Sequence, residues 1–511
     1  MRYGFAIDQR TCIGCHACTV ACKTEHEVPV GQFRTWVKYV DTGKFPDTTR
    51  SFGVMRCNHC TDAPCVKICP TQALFKRDDG IVDFDNERCI GCKSCMQACP
   101  YDAIYIDEDT HTAAKCNLCA HRVDNDLEPA CVVVCPTHSI WVGDLDDPTS
   151  GIAGLVSTHE TTVRSPEQNT GPNVFYLGAD RAVLDPLSAP VADTYIWAKP
   201  DAQRLATAGD LPGDRTTEAR TTLNTAHPRP WGWRVTTYLW SKAVGAGALA
   251  VAGLAHLLGI DLLWLGDYGA PALALFGAAS TGALLIWDLK RPERFLYIFL
   301  KSNWTSWLVW GAYALAAFSC VAALWILAAL FDLSGAVTVL AWLAIAFGAL
   351  VAGYTGFLFG QAEGRDLWQS PLLFWHLLVQ AAMVGTGALL IVALFADLSS
   401  DASAFLTRVF VLSTGLHLLM LGIEYTSKHA SRQASVAAHI ITHGRYARLF
   451  WLGAVVPAAL AAALAAPSWN ESGSSVFVVS LFLAMAGLLV QAALLAYETA
   501  FVRAGQDPPL S

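Results

Sequence analysis

The sequence predicts a protein of two unlike parts, a cysteine-rich N-terminal domain and an all-α polytopic membrane domain. Sixteen of the 17 cysteines lie within residues 1–142, whereas residues 231–505 are rich in Ala, Leu, Val and Trp and contain only Cys320. The 511-residue chain is 53% hydrophobic and 15% charged, which is a low charged fraction for a soluble protein. Its formal net charge of −8 argues against nucleic acid as a partner.

The sixteen clustered cysteines fall into four groups of four. The first group stands in CIGCHACTVAC, and the third repeats its spacing, C-x2-C-x2-C-x3-C, followed by proline. The second group widens one gap to four residues, and the fourth widens one gap to eleven. In chain order the groups are Cys12-Cys15-Cys18-Cys22, Cys57-Cys60-Cys65-Cys69, Cys89-Cys92-Cys95-Cys99 and Cys116-Cys119-Cys131-Cys135.

This spacing is typical of bacterial ferredoxins, in which the cysteine before the proline ligates the neighbouring iron–sulfur cluster. With one thiolate per iron, sixteen cysteines match four [4Fe–4S] clusters. Zinc sites also use C-x2-C pairs, but they require neither the third cysteine nor the x3-C-P tail. The N-terminus, MRYGFAIDQRTC, has no apolar region or cleavage site of a signal peptide, so we expect metal ligands in a reducing compartment rather than disulfides.

The order of the groups resembles the four-cluster electron-transfer subunits of the molybdopterin oxidoreductases, such as dimethyl sulfoxide reductase, polysulfide reductase, formate dehydrogenase and respiratory nitrate reductase. The resemblance covers about residues 1–142 and implies an α+β tandem ferredoxin-like domain with four [4Fe–4S] clusters. The implied ligand sets are Cys12, Cys15, Cys18 and Cys135 (cluster 1); Cys22, Cys116, Cys119 and Cys131 (cluster 2); Cys57, Cys60, Cys65 and Cys99 (cluster 3); and Cys69, Cys89, Cys92 and Cys95 (cluster 4). The resemblance also implies that cluster 1 lies nearest a separate catalytic subunit and cluster 4 nearest the quinone.

Residues 143–230 separate the two parts and are rich in Asp, Thr, Ser, Pro and Gly. They show no sustained helical or strand period. Because long aperiodic segments are typically straps or linkers, we expect a linker or docking strap here, with NVFYLG as a single strand.

The membrane half, residues 231–505, contains eight apolar segments, each close to the ~20 residues that a membrane span requires. Backbone polar groups in lipid must pair within their own segment, so we expect eight transmembrane helices. The Ala/Gly-rich stretch around Gly245 and Gly247 suits close contact between helices. The predicted spans are about 235–258, 267–288, 304–330, 336–360, 371–396, 404–426, 448–467 and 475–501.

The loops between these segments divide by charge into two sets. One set is rich in Lys and Arg, among them Lys290 and Arg365, whereas the other carries acidic residues such as Asp261, Asp397 and Glu471 and no Lys or Arg. By the positive-inside rule, both termini and the iron–sulfur domain are expected on the cytoplasmic side of the cytoplasmic (inner) membrane.

Three stretches of the membrane half, YLWSKAVGAGAL, IWDLKRPERFLYIFLKSNWTSWLVWGAY and GYTGFLFGQAEGRDLWQSPLLFWHLL, resemble the polysulfide reductase-type membrane subunits known as the NrfD family. The resemblance covers about residues 230–500 and implies two four-helix bundles, no haem, and a site for menaquinone or ubiquinone close to the cluster domain. The span histidines His256, His376 and His417 are scattered at different depths and do not form the helical pairs that bis-histidine haem needs.

Ionisable side chains inside membrane spans are costly and indicate function. A quinone needs hydrogen-bond donors for its two carbonyl oxygens and a proton path, which Lys, Tyr or His with a carboxylate can provide. Purely structural roles are the alternative: Asp288 can pair with Arg291 or Arg294, and Lys242 can extend its ammonium to the membrane surface. The candidates for the quinone site and proton path are Tyr238, Lys242, Asp288, His376, His417, Glu424 and Glu498.

These observations predict an electron-transfer and membrane-anchor subunit of a quinone-linked oxidoreductase. Four [4Fe–4S] clusters would connect a separate molybdopterin-type catalytic subunit to the quinone pool of the lipid bilayer, with formate, sulfite or another sulfur compound as the partner's substrate. Two alternatives stay open: a redox-driven proton-translocating module, and an anchored ferredoxin that serves soluble partners without quinone. The first requires a polar path through the outer half of the membrane, where the sequence offers His256 and Arg408.

Overall fold

The computed structural model of the protein describes residues 1–190, 219–225, 227–396, 398–469 and 476–511. Residues 191–218 of the predicted linker and the acidic loop residues Asp397 and Glu471 lie outside the described residues. The described chain consists of a cysteine-rich α+β domain and eight long apolar helices.

The N-terminal domain alternates short strands with short helices, because each cysteine group occupies a loop followed by about one or two helical turns. Its strands are β1 (Tyr3–Asp8), β2 (Thr35–Lys44), β3 (Asp47–Arg56), β4 (Leu74–Lys76), β5 (Val82–Phe84), β6 (Ile104–Ile106), β7 (Ala113–Lys115), β8 (Ile140–Asp144), β9 (Thr161–Thr162), β10 (Val174–Leu177) and β11 (Arg220–Leu223). Its helices are α1 (Ala17–Glu25), α2 (Pro64–Ile68), α3 (Ser94–Ala98), α4 (Ala120–Val123), α5 (Ala130–Val133), α6 (Gly151–Thr158) and α7 (Arg181–Leu184).

Two helix contacts hold the cysteine groups together. α2 packs against α3, and α1 packs against α5. The antiparallel hairpins β4–β5 and β6–β7 lie between these helices in the chain. The second and third cysteine groups are therefore nested inside a pair formed by the first and fourth groups, in an α+β ferredoxin-like arrangement.

A four-stranded sheet, in the order β8-β1-β10-β9, joins the two ends of this domain. β1 runs antiparallel to β8 and parallel to β10, and β10 is the strand expected at NVFYLG. The buried side chains of Val174 and Tyr176 extend the core of the cluster domain. Residues 143–190 are thus folded onto that domain instead of forming only a strap, and β8 crosses the boundary suggested after residue 142.

A second sheet, in the order β11-β2-β3, carries a long hairpin formed by β2 and β3. β11 follows the undescribed residues 191–218 and pairs antiparallel with β2. Residues 220–223 are therefore part of a sheet of the cluster domain shortly before the first span begins.

All eight predicted spans are present as helices long and apolar enough to cross a membrane. Two of them are lengthened by π-helical turns at Leu265–Gly269 and Leu449–Val455. The helices are α8 (Trp233–Leu257), α9 (Ala270–Asp288), the short α10 (Tyr297–Leu300), α11 (Trp307–Leu330), α12 (Ser334–Gly360), α13 (Leu373–Ala393), α14 (Ser400–Thr426), α15 (Arg432–Thr442), α16 (Val456–Ala465) and α17 (Val476–Gly505).

α8 and α13 form the centre of the membrane half. In the most apolar 18 residues of each span, the buried share is 83% for α8 and 72% for α13, but only 28–44% for the other spans. α8 packs against α9, α12 and α13, whereas α13 packs against α14 and α17. Gly247 of α8 faces Gly385 of α13, and a Cβ at Gly247 would overlap the backbone of Ala381. Glycine is therefore required for this close approach, as the Ala/Gly-rich stretch predicted.

Candidate functional site

The second and third cysteine groups line two neighbouring cavities. One cavity is lined by Cys57, Cys60, Cys65 and Cys99. The other is lined by Cys69, Cys89, Cys92 and Cys95. Each group thus contributes its first three cysteines to one cavity and its last cysteine to the other.

The exchange of the last cysteine follows from local geometry. α2 ends at Ile68 and α3 ends at Ala98, and the cysteine that follows each helix is extended, with ψ of 116° and 115°. A residue before proline is pushed towards extended backbone, and both Cys69 and Cys99 precede a proline. The backbone therefore leaves the helix at the cysteine and carries its thiol to the partner cavity.

The first and fourth groups meet where α1 packs against α5. Burial raises the pKa of Cys22, and the charges of Cys116, Cys131 and Cys119 raise it further. Burial raises the pKa of Cys12, with a smaller contribution from Cys135. Cys22 thus interacts electrostatically with three thiols of the fourth group, and Cys12 interacts with Cys135.

Cavities lined by four thiols each suit a multi-iron cluster. Backbone amides also point at sulfur: Ala113 N donates to Cys89 Sγ at 3.4 Å and Ser139 N to Cys135 Sγ at 3.2 Å. Such donors stabilise the negative charge of cluster sulfur and tune cluster potential.

The loop between α9 and α11, residues 289–306, docks directly onto this domain. Lys290 N donates to Gly91 O at 3.2 Å, and Arg294 Nη1 donates to Cys89 O at 2.9 Å. On the other side of the same cavity, Asn303 Nδ2 donates to Cys69 O at 2.8 Å. These bonds place the thiol set of Cys69, Cys89, Cys92 and Cys95 against the membrane half.

Asp288 ends α9 beside this loop and forms an ion pair across the two domains. Its carboxylate lies 2.6 Å from Lys93 Nζ and 3.9 Å from Arg234. Burial lowers the pKa of Lys93, and the charge of Asp288 opposes that effect. The alternative pairing with Arg291 or Arg294 does not form: Arg291 pairs with Glu293 at 3.2 Å. Lys93 follows Cys92 directly, so the pair connects the cluster loop to α9.

An open cavity of about 860 Å³ lies beside this ion pair. Lys93 and Asp288 line it together with Trp233 and Arg234 at the start of α8. The Arg234 guanidinium lies 4.6 Å from the ring of Trp287, whose side chain is exposed. Arginine and tryptophan together are typical of a membrane–water interface, which is the position expected for the end of a span.

Lys242 lies two turns deeper in α8 and is only 1% exposed. Its ammonium donates to Thr355 Oγ1 and to Ala352 O at 2.9 Å, and it lies 4.7 Å from the ring of Tyr354. These contacts turn Lys242 into the bundle, so the alternative that it extends to the membrane surface is wrong. Its charged neighbour is Glu498 of α17, which is 3% exposed.

Tyr238 lies one turn before Lys242 on the same face of α8 and is also buried. It interacts with Tyr354, Thr355 and Glu498. The structure thus brings Tyr238, Lys242 and Glu498 into one polar group with two α12 residues that the sequence reasoning missed. Tyr354 and Thr355 belong to the family-like stretch GYTGFLFG, which was the available signal.

The other candidates form a second polar group in α13, α14 and α17. His376 Nε2 and His417 Nδ1 share a hydrogen bond of 2.8 Å, so the expectation that the span histidines lie scattered at different depths is wrong for this pair. The ring of Tyr497 lies 5.4 Å from that of His376. Glu424 lies nearer the end of α14 and accepts a hydrogen bond from Ser370 at 2.8 Å. Since Tyr497 precedes Glu498, α17 connects the two polar groups.

Thiol sets docked onto eight apolar helices define a membrane-bound iron–sulfur electron-transfer protein. Residues 221–503 match the family model described as polysulphide reductase, NrfD, and residues 49–145 match the model described as 4Fe-4S dicluster domain. This protein belongs to the NrfD polysulphide reductase family, here fused to an iron–sulfur subunit. Its sixteen clustered cysteines are consistent with four clusters.

The N-terminal part is similar to separate subunits of reductases. It is 46% identical over 190 residues to a subunit of the tetrathionate reductase of Salmonella typhimurium, covering 36% of this chain and 76% of the relative. It is 38% identical over 187 residues to one of the polypeptides of the polysulfide reductase of Wolinella succinogenes, covering 36% and 98%. The arsenate respiratory reductase iron-sulfur subunit ArrB of Shewanella sp. (strain ANA-3) is 36% identical over 227 residues, covering 35% and 96%.

Proposed function

We propose that this chain is the electron-transfer and membrane-anchor subunit that connects a separate molybdopterin-type catalytic subunit to the membrane quinone pool. The observation that carries the proposal is the docking of loop 289–306 onto the backbone of Cys69 and Cys89. Electron transfer requires a short distance between redox groups, and this contact holds one thiol set against the membrane helices. The similarity to subunits of named reductases supports the same role.

Each of the four thiol sets would hold one [4Fe–4S] cluster, which supplies one-electron transfer when bound. The sets are those implied by the nesting of the groups, and cluster 4 would be held by Cys69, Cys89, Cys92 and Cys95. The protein's own contribution is to exclude water and to direct amide N–H groups at sulfur, as Ala113 does at Cys89. Both effects favour stable, reversible electron uptake.

The polar group of Tyr238, Lys242, Tyr354, Thr355 and Glu498 is the proposed quinone site. A quinone takes up two electrons and two protons, so its two carbonyl oxygens need nearby donors. Lys242 Nζ and the Tyr238 hydroxyl are suitable donors, and the Glu498 carboxyl can pass protons to them. The second polar group, which contains His376, His417 and Glu424, extends towards the ends of α13 and α14 and is proposed as the proton path.

The catalytic partner would dock at the opposite end, around Cys12, Cys15 and Cys135. These are among the more exposed cysteines of the domain. Large apolar side chains that flank them, Ile13 and Val20, are 58% and 62% exposed. A partner that covers this patch would bring its own redox centre close to the first thiol set. The names of the relatives favour a sulfur compound or an oxyanion as the partner's substrate.

The eight spans are proposed to form two four-helix bundles, one from α8, α9, α11 and α12 and one from α13, α14, α16 and α17. The packing of α9 on α11 and of α14 on α16 supports this division. The Lys- and Arg-rich loop 289–306 contacts the cluster domain, which supports a cytoplasmic position for both. A reporter fused after Ser511 should therefore be active only in the cytoplasm, and activity in the periplasm would contradict the proposed orientation.

The function is tested with the complex purified anaerobically from membranes. It should contain about 16 iron atoms and matching acid-labile sulfide per chain, since each thiol set holds one four-iron cluster, together with a molybdopterin-binding partner. A quinone analogue should change the electron paramagnetic resonance (EPR) signal of one cluster, and quinol should reduce the clusters. Full iron content with no response to quinol or analogue would favour the anchored ferredoxin that serves soluble partners.

A further inference from the structure

Arg56, the last residue of β3, is a fully buried cation at the junction of two thiol sets. Its side chain is 0% exposed, and its Nη1 lies 3.3 Å from Cys131 Sγ. The guanidinium also lies 4.3 Å from the ring of Phe5. The thiols that interact with it electrostatically are Cys131, Cys116 and Cys18. Cys131 and Cys116 belong to the second ligand set, and Cys18 belongs to the first.

Protein carboxylates do not balance this charge. In the part of the chain that the structure describes, Arg56 takes part in no ion pair, and its Nε and Nη2 have no hydrogen-bond partner. A charge buried without a partner is strongly destabilising. The counter-charge must therefore come from what the thiols hold, and a four-thiolate iron–sulfur cluster is anionic in both of its common oxidation states.

Another cation close to a thiol set, Lys93, differs in this respect. Lys93, which follows Cys92, forms a 2.6 Å ion pair with Asp288 of the membrane half. Its charge is thus offset by a carboxylate, whereas that of Arg56 is not. Net charge and hydrogen bonds to sulfur are two of the factors that set the potential of an iron–sulfur cluster. Arg56 supplies positive charge at the first two sets and a hydrogen bond to sulfur at the second.

We propose that Arg56 is the shared counter-ion of cluster 1 and cluster 2 and raises the reduction potentials of both. The proposal rests on the proposed function, since it requires clusters in these thiol sets. A fixed positive charge stabilises the reduced, more negative cluster over the oxidised one, so electrons reside more readily at these two sites. Arg56 therefore acts as a positioning residue: it does not bind the cluster, but it places a positive charge beside the cysteine sulfurs that do.

The experiment is an EPR-monitored redox titration of the purified full-length complex from three variants. Arg56→Gln removes the charge, and Arg56→Lys keeps it. Arg50→Gln is the matched control, because Arg50 lies on the same strand but pairs with Asp41 at 2.7 Å on the surface. We expect Arg56→Gln to disfavour reduction of two of the four clusters by at least tenfold, which is about 59 mV for a one-electron couple. Arg56→Lys and Arg50→Gln should stay within that range of the wild type.

The outcomes distinguish an electrostatic role of Arg56 from a packing role, and they distinguish both from a failure of the proposed function. Unchanged potentials in Arg56→Gln with full iron content would overturn the proposal, and so would an Arg56→Lys shift as large as that of Arg56→Gln. If Arg56→Gln loses iron, Arg56→Lys decides alone: wild-type potentials support the charge role, and a tenfold shift overturns it. A wild-type complex without EPR-active clusters would contradict the proposed function instead.

Discussion

Replacing Cys92 with serine is expected to cut quinone-linked electron transfer by roughly 100-fold or more, since even changes outside the ligand shell cost 10–100-fold. Cys92 belongs to the thiol set that loop 289–306 holds against the membrane helices. Loss of this ligand should damage cluster 4, which is the proposed contact to quinone. Iron analysis should show a loss of between one and four atoms per chain, and quinol oxidation by the intact complex measures the activity.

The matched control is the activity of the catalytic partner subunit in the same complex. Reduction of the partner's substrate by an artificial dye that donates electrons directly to the catalytic subunit should continue in Cys92→Ser. The EPR signals of the other three clusters should also persist, because their ligands lie in separate sets. Quinone-linked turnover close to that of the wild type would show that electrons leave for the membrane from another cluster.

Removing Lys242 or Glu498 is expected to slow quinone turnover by roughly 10²–10⁴-fold, the range for loss of a general acid or base. Lys242→Met removes the donor, and Glu498→Gln removes the group that passes protons to it. Both side chains are buried within the helices, and each is the other's charged neighbour. The measurement is quinol oxidation, alongside reduction of the clusters by dithionite, which should remain complete.

Stability has to be separated from chemistry, because a buried charged group that loses its charged neighbour is destabilising. The double variant Lys242→Met/Glu498→Gln removes both charges and should regain stability without regaining turnover. His256→Ala is the control for the far side of the membrane, where His256 hydrogen-bonds Thr338 at 3.0 Å. Normal turnover with reduced proton uptake in His256→Ala would favour the proton-translocating alternative. Full activity in Lys242→Met would exclude Lys242 from the quinone site.

Much of the architecture was predictable because it rests on local constraints. The backbone groups of eight successive segments of about 20 apolar residues can form their hydrogen bonds in lipid only as helices, and all eight helices are present. The cysteine spacing is also a local constraint, because a C-x2-C turn places neighbouring thiols within reach of one cluster. The strand at NVFYLG was also predicted, although its partner was not.

What escaped the sequence reasoning depends on contacts between distant segments. Residues 143–190 were predicted as part of a linker, because no period shows that β10 will lie beside β1. Lys93 is an ordinary residue between cysteines in the sequence, and only the fold brings Asp288 to within 2.6 Å of it. Tyr354 and Thr355 are common residues for the end of a span, and only the docking of α8 on α12 directs Lys242 at them.

The sequence by itself determined that this protein has four cysteine groups and eight spans, since thiol spacing and apolar length are local properties. The tertiary structure alone decided which charged groups from distant segments interact: Lys93 with Asp288, Lys242 with Glu498, and Arg56 with two thiol sets. It also explains why the first group ends in Cys22-Lys23 without proline. α1 continues through Cys22 to Glu25, and Lys23 donates to Pro29 O at 2.8 Å. A proline at position 23 would interrupt α1 and could not make that bond.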